Sequence, residues 1–162
     1  MRISTRGEYG LRTLMELGME PESALSLRDI AARQRISLDY LEQIVPSLKN
    51  AGLIKARRGA HGGYQLARPS EEITVFEALT ALEGSLDPMA CLSTQLQAGE
   101  GPSCLASGSC AVQEVWSEMR DAMETVLKNK TLADMIARQN QNFKVPIRTY
   151  SQREIARLVV LN

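Results

Sequence analysis

Cys91, Cys104 and Cys110 are the only cysteines in the chain, and all three fall in one 20-residue stretch. Cys91 and Cys104 lie in a segment rich in Gly, Ser, Pro and Gln that runs from Ser85 to Ser109 and reads as a loop, and Cys110 follows it directly. Three thiols in one such stretch are poor material for a structural disulfide in a reduced compartment. They are better suited to metal ligation or redox sensing. Zinc in a structural site asks for four nitrogen or sulfur donors, and the single histidine, His61, lies in a distant glycine-rich turn. Reversible thiol oxidation without a metal stays open, although nothing in the sequence points to a cysteine of lowered pKa.

A second chemistry lies nearer the N-terminus. Leu53 to Arg58 reads as a strand, Gly59 to Gly63 as a glycine-rich turn and Tyr64 to Ala67 as the returning strand. Lys55, Arg57 and Arg58 supply cations to this hairpin, and Gly62 and Gly63 are expected to allow positive φ and close approach to a phosphate or groove wall. Arg58, at the entrance to the turn, is the side chain expected in a minor groove.

Helices must present this hairpin. Thr5-x-x-Glu8 fits a capping box, and Leu11, Leu14, Met15 and Met19 then recur at helical spacing, so a first helix is expected from about Arg6 to Gly18. Ser26 caps a second, short helix, and Ser37 caps a third that ends at Gly52. Leu38, Leu41, Ile44, Val45 and Leu48 occupy one face of the third helix, while Asp39, Tyr40, Glu42, Gln43 and Lys49 lie toward the other. A short helix, a tight turn and a longer helix with a free polar face form a helix-turn-helix, whose second helix enters the major groove. The following hairpin makes it winged. Pro46 inside the third helix removes a backbone donor, and a kink or break is expected there.

Charge agrees with this division. The chain has no net charge, but residues 1–70 carry 11 Lys/Arg against 7 Asp/Glu and the remainder 8 against 12. A basic head on an acidic body is the footprint of a DNA-binding module joined to a part that does not bind DNA. The N-terminus lacks the apolar run of a secretory signal, and no stretch approaches the roughly 18 apolar residues of a membrane span, so a cytoplasmic protein is expected.

The stretches SLDYLEQ, AGLIKARRG and GGYQLARP, followed by the cysteine cluster, resemble the family of iron-sulfur-cluster and nitric-oxide-responsive winged-helix repressors typified by IscR and NsrR. The likeness spans about residues 1 to 135. It implies that Tyr40, Glu42 and Gln43 face DNA and that Arg58 and Gly59 act at the wing; Arg28, Ser37, Asp39, Lys49, Arg57 and His61 complete the candidate DNA-contacting set. It also implies that Cys91, Cys104 and Cys110 hold an iron-sulfur cluster of two or four irons. Cys104-x5-Cys110 keeps the family spacing, whereas twelve residues separate Cys91 from Cys104, so the loop is lengthened. Where some members place a histidine ligand, this chain has Gln113. The resemblance points to Glu8 of the partner subunit as the fourth ligand, with water, a thiol or Gln113 as alternatives.

Beyond the loop, Ala111 to about Lys130 is the longest helical pattern, carrying Val112, Val115, Trp116, Met119, Met123, Val126 and Leu127 at steps of three and four. Such a stripe needs a partner surface, and the same helix of a second subunit would give a homodimer with two recognition helices one DNA turn apart. Thr131 caps a further short helix, and Ser151 to Glu154 opens a final amphipathic turn. The expected architecture is mainly α with a small β-hairpin: a winged helix-turn-helix domain at 1–84, a cluster loop at 85–111, a dimerisation helix and short following helix at 112–139, and a tail of unassigned role at 140–162.

The partner is then a double-stranded DNA operator and the role transcription regulation. Enzyme chemistry has little support, because there is no phosphate-binding glycine motif and no Ser-His or Cys-His pairing. A regulator of the same fold that answers to a small effector, with incidental cysteines, and an electron-transfer protein are the competing readings.

Overall fold

The computed structural model describes residues 3–59, 62–92 and 110–144. In chain order the elements are α1 (Thr5–Met19), α2 (Leu27–Gln34), α3 (Leu38–Asn50), β1 (Ile54–Arg57), β2 (Gly63–Leu66), α4 (Val75–Glu83), α5 (Ala111–Lys128) and α6 (Leu132–Lys144), with short 3-10 turns at Ser70–Glu72 and Ala90–Leu92. The molecule is mainly helical with one antiparallel hairpin, in which Ile54 faces Leu66 and Arg57 faces Gly63. This is the winged helix expected from the sequence. The expected tail turn at Ser151 lies outside the described residues.

The first helix begins differently from its expected capping box. Ser4, not Thr5, is the N-cap, and its hydroxyl accepts from the N–H groups of Arg6 and Gly7 at 3.1 and 3.4 Å. In a capping box the third helical residue returns a carboxylate to the cap's own N–H. Here that residue is Gly7, and the carboxylate comes instead from Glu83 at the end of α4, which accepts from the Ser4 N–H at 3.1 Å and the Ser4 hydroxyl at 2.7 Å. A Cβ on Gly7 would lie 2.3 Å from Glu83 Oε1, so the missing side chain is what admits the distant one. Glu8 is released from capping and pairs with Arg12 at 2.6 Å.

The caps expected on α2 and α3 are present. Ser26 caps α2, Ser37 caps α3, and Thr74 with Glu77 forms a capping box on α4. Pro46 does not break α3, which runs on to Asn50. Pro46 is exposed, so the carbonyl deprived of its donor, that of Glu42, lies on the solvent side and can be hydrated at little cost.

Leu14, Leu17, Ile30, Leu41, Ile44, Leu48, Leu53 and Ile73 fill the core, each at most 1% exposed. Leu132 of α6 joins them at 1% exposure. Backbone bonds of 2.8 Å from Val75 N–H to Lys130 O and from Leu132 N–H to Ile73 O pin α6 beside the start of α4. The segment after the long helix therefore returns to close the head.

The helix α5 uses its apolar residues on two sides. Met123 and Leu127 pack with Val75, Phe76, Leu79 and Leu86, and the Lys128 ammonium sits 4.6 Å above the Phe76 ring. Val112, Val115, Met119 and Val126 face away, 58, 62, 38 and 61% exposed. No residue of α5 is buried within the single chain.

Candidate nucleic-acid interface and cysteine site

Glu42, Gln43 and Lys49 are exposed on α3, with Asp39 exposed in its first turn and Ser37 serving as its cap. The opposite face of α3, Leu41, Ile44, Val45 and Leu48, is buried. The polar face is thus free for a groove. Arg28 is exposed in the first turn of α2, and Arg57 and Arg58 are exposed at the hairpin tip. His61 lies outside the described residues.

Tyr40 departs from the simple picture of a free polar face. It is half-buried and packs on the core, with its ring edge-on to Tyr9 of α1 at 5.7 Å between centroids and 86° between planes. The Arg12 guanidinium stands 5.7 Å from the Tyr9 centroid. The ring of Tyr40 is thus held by α1 as well as carried by α3. A second tie runs from the Arg6 guanidinium to the Ser47 hydroxyl. Neither Tyr9 nor Arg6 stands out in the sequence, because both contacts join residues remote along the chain.

The wing is built more firmly than a two-stranded hairpin. Leu25 and Tyr64 exchange backbone bonds of 2.9 and 2.8 Å, adding a one-residue third strand from the segment between α1 and α2. This corrects the expected role of Gly63. Its φ is not positive, and a Cβ there would lie 2.4 Å from the Leu25 carbonyl oxygen, so glycine is required by the chain's own backbone rather than by a phosphate or groove. The positive φ belongs to Gly59, at +120°.

Two of the three cysteines are described. Cys91 is exposed on the 3-10 turn Ala90–Leu92, which packs against α5, and Cys110 is the half-buried N-cap of α5. Arg120 of α5 lies 3.9 Å from Asp87, tying the chain before Cys91 to the same helix. The Cys110 side chain makes no capping hydrogen bond. Thiolate is the donor that iron-sulfur clusters take, so these residues fit such a group. Cys104 lies outside the described residues. No group of three His, Cys, Asp or Glu side chains poised for a metal occurs among the described residues. The Glu8 carboxylate is 53% exposed, and its pairing with the 46% exposed Arg12 is the kind of surface bond that contributes little. It is therefore accessible to another subunit.

These features define a winged helix-turn-helix DNA-binding protein. The model of the Rrf2 family, described as iron-dependent transcriptional regulators, matches residues 3–138, and the chain belongs to that family. It is 39% identical over 137 residues to the rrf2 protein of Nitratidesulfovibrio vulgaris, covering 84% of this chain and 87% of that one. It is 40% identical over 136 residues to the regulator CymR of Bacillus subtilis, covering 83% and 89%, and 33% identical over 141 residues to IscR of Serratia proteamaculans, covering 86% and 82%. Among solved structures, that of B. subtilis CymR, described as the global cysteine regulator, superposes with a TM-score of 0.70 at 37% identity over 85% of this chain and 97% of that one. T. potens IscR superposes with a TM-score of 0.68 at 32% identity over 94% and 93%. These relatives are transcription regulators, not enzymes, and the chain is a DNA-binding transcription regulator of their family. No described helix is long and apolar enough to cross a membrane.

Proposed function

We propose that the chain is a cytoplasmic homodimeric repressor that reads its operator with α3 in the major groove and Arg58 in the minor groove, and whose binding is switched by an iron-sulfur cluster on Cys91, Cys104 and Cys110. The observation that carries this reading is the exposed stripe of Val112, Val115, Met119 and Val126, which runs along the helix that Cys110 opens. Apolar surface repeated along one helix face is buried most economically against its own copy, and a twofold pair of heads suits a palindromic operator.

The cluster, when bound, supplies an iron centre open to oxygen and nitric oxide. What the chain itself contributes is a lever. A cluster held by Cys91 and Cys110 would tie the 3-10 turn Ala90–Leu92 to the start of α5. Restraint at Cys110 acts on the first turn of the dimer helix and biases how the two heads are presented. The Glu8 carboxylate of the partner subunit, as fourth ligand, would connect this site to α1 and hence to α3 through the Tyr9–Tyr40 contact.

Anaerobic reconstitution with iron and sulfide tests the reading. Wild type is expected to develop visible absorbance and to change its operator affinity, Cys104→Ala to lose both, and Glu8→Ala to form a cluster with altered switching. Equal cluster content in wild type and Cys104→Ala defeats the site. The likeness to CymR favours a second reading, in which the same fold answers to a thiol metabolite without a cluster. A colourless reconstituted protein whose operator binding responds to cysteine would establish that alternative.

A further inference from the structure

Glu16 of α1 is a carboxylate only 7% exposed, on the helix that also buries Leu14 and Leu17, both 0% exposed. Its oxygens accept from Gln34 Nε2 at 2.6 Å and from Arg33 Nη1 at 3.4 Å. Arg33 is also paired with Glu20, the C-cap of α1. Arg33 and Gln34 are the last two residues of α2. The chain then reverses through Arg35 in the left-handed region, at φ 55° and ψ 43°, and Ile36 donates its N–H to Ala31 O at 3.0 Å and buries its side chain to 5% exposure. Ser37 follows at once as the cap of α3. Three residues thus separate the end of α2 that Glu16 holds from the helix proposed to read DNA.

A buried carboxylate is a costly way to join two helices, and an apolar side chain of similar size would stabilise the contact at least as well. What it adds is direction. Two oxygens accepting from consecutive residues admit one rotation and one height of α2 on α1, whereas an apolar contact tolerates small slides. We propose that Glu16 is a positioning residue for operator recognition: by holding Arg33 and Gln34 it sets the angle at which α3 leaves the turn, without itself touching DNA. This rests on α3 being the reading helix. Contacts to base edges need placement to a fraction of an ångström, while contacts to phosphates through long cations are forgiving, so the loss on releasing α2 falls on specific binding.

The test uses the full chain, a duplex selected from a random library by the wild type, and a scrambled duplex of the same composition. Glu16→Ala is expected to lose about tenfold or more on the selected duplex and to stay within about twofold on the scrambled one, with unchanged helicity and sedimentation. Glu16→Gln keeps an acceptor for Gln34 and is expected to stay within about threefold of wild type on both. Wild-type affinity of a folded Glu16→Ala for the selected duplex overturns the proposal, as does a parallel loss on both duplexes. Where Glu16→Ala does not fold, Gln34→Ala removes the shorter bond from the less buried side, and the same selective loss is required of it. Gln43→Ala separates the two levels. If it loses selected binding while Glu16→Ala does not, the positioning role alone is wrong; if it loses none, α3 is not the reading helix and the inference falls with it.

Discussion

Tyr40 of the third helix stands edge-on to Tyr9 of the first, their ring centroids 5.7 Å apart and their planes at 86°. The pair places an aromatic joint where the third helix, proposed to read DNA, meets the helix that carries Glu8. An edge-to-face pair has a preferred geometry as well as a buried area, so it resists sliding of α3 along α1. A side chain that the sequence assigns to the DNA-facing side is therefore also part of the support behind it.

Tyr40→Phe and Tyr40→Ala separate these roles. Tyr40→Phe preserves the ring contact and is expected to unfold in urea within about 0.5 kcal/mol of wild type, while Tyr40→Ala loses about 2 kcal/mol. If the phenol reaches DNA, Tyr40→Phe weakens operator binding by about the worth of one hydrogen bond, threefold to tenfold. Equal stability of Tyr40→Ala and wild type would remove the joint from the account.

Arg58 is exposed at the wing and follows the cation-rich strand β1. Arg58→Ala is expected to weaken operator binding and to reduce the slope of log affinity against log salt by about 1. A slope and an affinity equal to wild type would show that this side chain does not reach the duplex.

Met119 is 38% exposed on the outward side of α5, whereas Met123 packs on α4. Met119→Glu is expected to sediment as a monomer with wild-type helicity, since the new charge is hydrated in the single chain and unpaired only in the dimer. Met123→Glu is expected to destabilise the fold itself. An unchanged dimer in Met119→Glu contradicts the proposed seam.

The Glu77 carboxyl is held below the ordinary glutamate range, first by the Thr74 backbone N–H and further by the Arg68 guanidinium. A carboxyl whose pKa is lower folded than unfolded stabilises above its unfolded value, about 4.3, and that stabilisation is lost as pH falls through the folded value. Glu77→Gln is expected to be less stable than wild type at neutral pH, with the gap closing in acid. Urea unfolding across that range measures it, and a gap that is constant with pH assigns the loss to shape rather than charge.

Local grammar was largely legible in the sequence. Ser26 and Ser37 cap the helices they were expected to cap, and Leu41, Ile44, Val45 and Leu48 are buried together, because capping and helical periodicity join residues three or four apart. The hairpin was legible because its two strands follow one another along the chain across a short glycine-rich stretch. The cysteines could be named as a group, but the site they form was not readable, since their spacing gives no separation in space.

The tertiary structure decided whatever depends on partners far apart in the chain. Ser4 rather than Thr5 caps the first helix because Glu83, 79 residues away, arrives over Gly7 to serve it. Gly63 is glycine because Leu25 crosses beside it, and α6 completes the head because Lys130 pairs with Val75. Periodicity showed that α5 is apolar over its length but could not divide the stripe. Met123 and Leu127 turn inward and Val112, Val115, Met119 and Val126 outward only because α4 packs against one side of that helix and leaves the other bare.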